Sequence, residues 1–121
     1  DYDRKPLFVM IDSIGLVSFS IAGSLIALEH DYSITGVILL SFITAVGGGI
    51  LRDILLNEVP YVLRGGFYGI IAIIIGLLLY LLNEMQLINV ISLLIIFVCG
   101  FLLRLIAYYQ KWRLPLGSSD D

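Results

Sequence analysis

Four apolar stretches, separated by short polar breaks, fill almost the whole chain. They run from Leu7 to about Leu28, from Ile34 to Leu56, from about Phe67 to Leu82, and from Leu87 to about Tyr109. The breaks are Glu29-His30-Asp31-Tyr32-Ser33, the segment Asn57 to Gly66, and Asn83-Glu84-Met85-Gln86. A helix crosses the hydrocarbon core of a bilayer with about 20 apolar residues. The pattern therefore predicts an all-α integral membrane protein with four transmembrane helices. No stretch alternates apolar and polar residues over about ten positions, so the pattern is not that of a β-barrel. The first stretch lacks a small-residue cleavage site and opens a four-span chain, so it reads as a span and not as a signal peptide. The tail Gly117-Ser118-Ser119-Asp120-Asp121 reads as a polar end to the chain.

Composition strengthens this reading. Of 121 residues, 60% are hydrophobic and 14% are charged, and the mean hydropathy is +1.03. Soluble domains are about 45–50% apolar and about 25% charged. A soluble domain and a disordered chain are excluded on that ground. The net charge of −3 offers no basic field for nucleic acid. One cysteine, Cys99, and one histidine, His30, leave no disulfide framework and no thiolate metal site. Cys99 reads as a small apolar packer and His30 as a solvated loop residue.

Charge also sets an orientation. Arg4, Lys5, Arg52, Arg64, Arg104, Lys111 and Arg113 all map to one side of a four-span chain. The opposite breaks hold Glu29, Asp31 and Glu84 and no cation. The positive-inside rule then places both termini in the cytoplasm. Tyr108, Tyr109 and Trp112 suit the cytoplasmic interface, and Tyr32 the opposite one.

The most unusual segment is Thr44-Ala45-Val46-Gly47-Gly48-Gly49-Ile50-Leu51-Arg52-Asp53. Glycine weakens a helix by about 1 kcal/mol relative to alanine. Three in a row within a span admit two readings. One is a kink whose freed carbonyls face a permeant ion; the other is close helix packing. Arg52 and Asp53 follow one turn later. They read either as a charged gate or anchor, or as residues at the lipid headgroups. Asp12 lies about one and a half turns into the first span, either functional or a shallow water-facing acid. Arg104 lies inside the fourth span. It could pair with Asp12 or Asp53 across the bundle, and snorkelling to the headgroups is the alternative. Ser20, Gly23, Ser24 and Ala27 share a helix face suited to packing. Ser18, Ser41 and Thr44 supply hydroxyls to the same spans. Pro60 marks a turn, Gly65-Gly66 a hinge, and the third span is apolar all round, as expected of a lipid-facing helix. No nucleophile–base pair, catalytic carboxylate pair or metal cluster is visible, so the chain does not read as an enzyme, and no cofactor is expected.

The run from Asp12 to Gly23, the run from Thr44 to Asp53 and Pro60 together resemble the prokaryotic trimeric intracellular cation (TRIC) channel family, also described as a glycine transporter domain. The resemblance covers about Phe8 to Pro115. It implies a protein built from two inverted three-helix repeats and a final helix, assembled as a trimer, with a potassium-permeable pore in each protomer. The chain resembles the second repeat (residues 7–83, with a Gly-rich kinked second helix) plus the final helix (87–115), followed by a polar tail (116–121). By resemblance, Gly47, Gly48 and Gly49 form the pore kink, with Thr44, Ser41 and Ser18 along the ion path. Arg52 and Asp53 close the motif, and Asp12 opens the repeat. A second Gly-Gly-Gly-x-x-Arg-Asp run is absent from this sequence. The expected activity is passive potassium conduction by a channel subunit or half-channel in a prokaryotic plasma membrane. Three explanations fit the missing first repeat: a piece of a longer protein, a split half that pairs with a chain supplying the first repeat, or an antiparallel homodimer, which the one-sided cations disfavour; membrane lipid and further copies of the chain are the other expected partners. A carrier for a small solute such as glycine, a proton-coupled exporter resembling the small multidrug resistance family, and a non-transporting assembly subunit are the alternatives.

Overall fold

The computed structural model describes residues 5–55 and 68–110. Four helices follow one another: α1 (Lys5–Glu29), α2 (Ile34–Leu55), α3 (Tyr68–Glu84) and α4 (Val90–Tyr109). There is no strand among the described residues. The turn expected at Pro60, the hinge at Gly65-Gly66, the cations Arg4, Arg64, Lys111 and Arg113, the interfacial Trp112 and the polar tail lie outside the described residues. α1, α2 and α4 are each long and apolar enough to cross a membrane, while α3 is a shorter apolar helix.

Local chemistry fixes the helix ends. α1 stops where Asp31 takes a left-handed conformation, φ 60°. The Asp31 and Tyr32 amides donate to the Leu28 and Ala27 carbonyls at 3.0 Å each. Gln86 does the same after α3, with φ 57°, its amide and that of Leu87 donating to Asn83 and Leu82. Both are Schellman closures made without glycine, which satisfy carbonyls that a helix end would leave bare. Asn89 starts α4. Its side chain accepts from the Ser92 amide, and the Ser92 hydroxyl accepts from the Asn89 amide, at 2.9 Å each.

α1 is the hub, packed against all three other helices. Its buried face carries Val9, Asp12, Ser13, Leu16, Val17, Ser20, Ser24 and Ala27. The serines do not need partners on other helices. Ser13, Ser20 and Ser24 donate to the carbonyls of Val9, Leu16 and Ser20, four residues back, at 2.6–2.7 Å. Their hydroxyls are thus satisfied inside their own helix, and the Ser20–Ala27 stripe packs as the sequence suggested. Close approach comes from glycine. A methyl added at Gly23 would lie 2.6 Å from the Leu40 carbonyl oxygen on α2. One added at Gly76 would lie 3.1 Å from Ser41 Cβ and 3.3 Å from Ile38 Cα. Gly100 admits Val17 and Ile75 between α4 and the rest. The Ser41 hydroxyl donates to the Ala72 carbonyl at 2.7 Å, joining α2 to α3.

Two expectations change here. α3 does not face outward all round: only one side, with Leu77, Leu78 and Leu81, is exposed. It buries Tyr68, Ile71, Ala72, Ile75, Gly76 and Leu79 at helical spacing, in the same core as Leu16, Val17, Ala45 and Ile96. An all-apolar helix hides its inner face from a hydropathy reading; the small Ala72 and Gly76 mark it. α2 is also helical without interruption through Gly47, Gly48 and Gly49, and no glycine among the described residues has positive φ. The expected break with freed carbonyls is therefore absent from the described helix. Bare carbonyls in hydrocarbon cost several kcal/mol each, more than the roughly 1 kcal/mol that each glycine forfeits in helix propensity.

Candidate functional site

Asp12 sits one-third of the way along α1, where helical periodicity turns it inward with Val9 and Leu16. It is fully buried, and three helices reach for it. Arg52 Nη1, near the end of α2, donates to Asp12 Oδ1. The hydroxyl of Tyr68, the first residue of α3, donates to the same oxygen at 3.2 Å. Arg104 Nη2, on α4, donates to Oδ2 at 3.2 Å. Arg52 Nη2 also donates to Oδ1 of its buried neighbour Asp53 at 2.8 Å. The guanidinium of Arg104 lies 5.1 Å from the Tyr68 ring centre and 5.6 Å from that of Tyr108. That of Arg52 lies 4.9 Å from the Phe8 ring.

Among the described residues the cluster pairs two carboxylates, Asp12 and Asp53, with two guanidiniums, Arg52 and Arg104, so their charges offset one another. That pairing is what lets it exist at this depth, because an uncompensated charge in hydrocarbon is expensive. Its members differ in one respect. The Arg104 side chain is 4% exposed, whereas Arg52 is 23% exposed. Arg104 is sealed among the helices; Arg52 reaches the outside of the bundle beside Phe8. The headgroup reading for Arg52, Asp53 and Arg104 is thus replaced by mutual pairing within the bundle, and Asp12 is not a water-facing acid. The pairing of Arg104 with Asp12 is one of the two arrangements the sequence allowed.

The residues expected along an ion path do not share one surface. Ser41 and Gly49 are buried toward the core, and Ser41 is engaged with Ala72. Thr44 is half-buried against Gly23. Gly48 is half-buried, with the Phe19 ring occupying the space where a side chain would start. Ser18 and Gly47 are exposed. A methyl added at Gly47 would meet nothing within 4 Å, and the same holds for Gly15 on α1. Gly15, Ser18 and Gly47 are thus small, open positions on outward stripes that otherwise carry large apolar side chains: Ile11, Ile14 and Phe19 on α1, and Leu39, Ile43 and Leu51 on α2.

Tyr68 was not singled out in the sequence. An aromatic at the start of a span reads as an interfacial anchor, and its partner Asp12 is 56 positions away. At the opposite end of the bundle, Leu28, Asp31, Tyr32, Ser33, Tyr80, Asn83 and Glu84 line a cleft of about 220 Å³. No group of three metal-ligating side chains occurs among the described residues.

A bundle of long apolar helices knit by a buried ion cluster defines an all-α integral membrane protein. The chain belongs to the glycine transporter family, whose model matches residues 9–84, from α1 to the end of α3. It is similar to the UPF0126 membrane protein YvgT of Bacillus subtilis, 35% identical over 107 residues, covering 88% of this chain and 52% of YvgT. A UPF0126 membrane protein of Vibrio cholerae is 42% identical over 66 residues, covering 54% of this chain and 28% of its own length. Among solved structures, a chain from work on the structural basis for conductance through TRIC cation channels superposes with a TM-score of 0.76 at 34% identity. The match covers 97% of this chain and 57% of that one. The TRIC resemblance of the glycine motif is thereby met at the level of family and fold. The chain spans about half the length of YvgT and of the TRIC channel chain.

Proposed function

We propose that this chain is a cation channel subunit that contributes one wall of a potassium-permeable pore. The observation that carries the reading is the likeness, at 34% identity and over nearly all of this chain, to a TRIC cation channel structure. The outer face of α1 and α2 is the wall. Gly15, Ser18 and Gly47 are its small positions, set among Ile11, Ile14, Ile43 and Leu51, and Arg52 stands at one end of it, held by Asp12 and Asp53. Ser41, Thr44, Gly48 and Gly49 act behind that wall, by packing α2 against α1 and α3. The acids Asp31 and Glu84 at the other end raise the local concentration of cations. Both termini face the cytoplasm of a prokaryotic cell, as the one-sided cations imply. The opposite wall comes from further copies of the chain, as in a trimer, or from a partner carrying the complementary repeat.

A carrier reading draws on the family description and on Asp12. It is the weaker of the two. The solved structure that this chain resembles over 97% of its length comes from work on cation channels, which favours the channel.

The test is potassium and glycine flux into liposomes containing the purified chain. Potassium flux without glycine uptake is the expected result. Glycine uptake without potassium current overturns the channel reading. If neither moves in folded, inserted protein, the homomeric pore is refuted and the activity resides in a complex with a partner.

A further inference from the structure

Tyr68 occupies a position that the ion-pair pattern alone does not explain. Asp12 already has a guanidinium on each oxygen, so charge neutralisation needs no hydroxyl. Yet the Tyr68 hydroxyl donates to Oδ1, the oxygen that Arg52 uses, and its ring lies beneath Arg104. The residue is 1% exposed. One side chain thus touches the acid and both of the cations that compete for it, directly on Asp12 and Arg104 and through a shared oxygen on Arg52.

The competition is unequal. Arg104 is sealed from solvent while Arg52 is partly exposed, and an ion pair is stronger where water does not screen it. Arg52 has an exposed edge and a second carboxylate, Asp53. A carboxylate free to turn about its Cβ–Cγ bond would therefore loosen its hold on Arg52 first, leaving it on Asp53 with its exposed edge. A hydroxyl fixed to Oδ1 opposes that turn.

We propose that Tyr68 is a positioning residue for the charge cluster: its hydroxyl fixes the Asp12 carboxylate so that Arg52 stays drawn in at the outer face of α1 and α2. The consequence for conduction rests on the channel reading above. A released Arg52 presents its positive charge along the proposed wall, where it repels cations.

Tyr68→Phe tests this, because it keeps the ring beneath Arg104 and removes only the hydroxyl. Modification of Arg52 by phenylglyoxal, read residue by residue by mass spectrometry in liposomes, is expected to quicken about tenfold, the scale set by loss of one hydrogen bond to a charged group. Arg104 should stay unreactive. Potassium flux should fall in Tyr68→Phe, and this fall should vanish in an Arg52→Gln background. Unchanged Arg52 reactivity in folded Tyr68→Phe overturns the proposal. So does a fall in flux that persists in Arg52→Gln. Tyr68→Leu removes ring and hydroxyl together; if only this variant exposes Arg52, packing and not the hydroxyl does the positioning, and the proposal fails. Faster labelling in a protein whose wild type conducts no potassium upholds the positioning role and refutes the channel reading.

Discussion

Replacing Asp12 by asparagine removes the single negative charge on which three helices converge while keeping nearly the same shape. The amide offers one acceptor where the carboxylate offers two, so one face of the group turns a donor toward a guanidinium. Arg104 suffers most, since it is 3% exposed and Asp12 is its ion-pair partner. Breaking a buried pair by removing one member costs about 3–5 kcal/mol. Arg52 suffers less, because Asp53 still accepts from it at 2.8 Å and its edge can reach water. Asp12→Asn is therefore expected to lose about 3–5 kcal/mol of stability, most of it through Arg104. Unfolding in mixed detergent and dodecyl sulfate, followed by circular dichroism, reads the loss. Adding Arg104→Gln in the same chain removes the stranded cation and should restore part of it, with a coupling between the two sites of about 0.5–3 kcal/mol. Asp12→Asn within about 0.5 kcal/mol of wild type, a difference typical of surface substitutions, would refute the buried-cluster account. A double variant no better than Asp12→Asn alone would refute the assignment of the loss to Arg104.

Gly23→Ala should destabilise the α1–α2 contact by about 1–3 kcal/mol, the range for overpacking, because its methyl meets the Leu40 carbonyl oxygen at 2.6 Å. Gly47→Ala has open space and should gain up to about 1 kcal/mol of helix propensity while lowering flux; the same unfolding and flux assays distinguish the two. Ser41→Ala should cost about 0.6 kcal/mol, the average for an interhelical hydrogen bond in a membrane bundle, seen as a small shift in the unfolding midpoint. Cysteines placed at Asp31 and Glu84 should react with an impermeant maleimide added outside intact cells, and a cysteine at Leu55 should not; the reverse pattern inverts the proposed topology.

The sequence conveyed the helices with little loss. Its first two spans, Leu7–Leu28 and Ile34–Leu56, fall within two residues of α1 and α2 at the ends the structure describes. Apolar run length is a strong signal when the solvent is hydrocarbon. The fourth span began three residues early because Asn89, with Ser92 three residues on, caps α4, and an apolar run does not register a cap. The acid and cations of the site were all legible, since an ionisable residue inside a span stands out. Their pairing was not. Arg104 lies little more than one turn from the interfacial Tyr108 and Tyr109, where snorkelling and an ion pair produce the same one-dimensional pattern. Asp12 and Arg104 are 92 positions apart, and the packing that joins them, through Gly100, Val17 and Ile75, is invisible in either segment alone.

The glycines show why the choice between packing and a pore could not be made for the motif as a whole. Within one turn of α2, Gly49 faces the core, Gly48 accepts the Phe19 ring, and Gly47 faces open space. Successive helix positions are rotated by about 100°, so three adjacent glycines necessarily look in three directions. Packing explains Gly49 and Gly48, for a side chain at Gly48 would displace Phe19. It does not explain Gly47, where alanine would fit this chain and strengthen the helix. The same holds for Gly15 across the seam on α1. On the proposed function, what these two positions face outside the four helices is a permeating ion with its water, or a further helix closing the pore. Both belong to the channel reading. A non-transporting assembly subunit accounts for the second alone, and so predicts that Gly47→Ala alters oligomer size with potassium permeability unchanged.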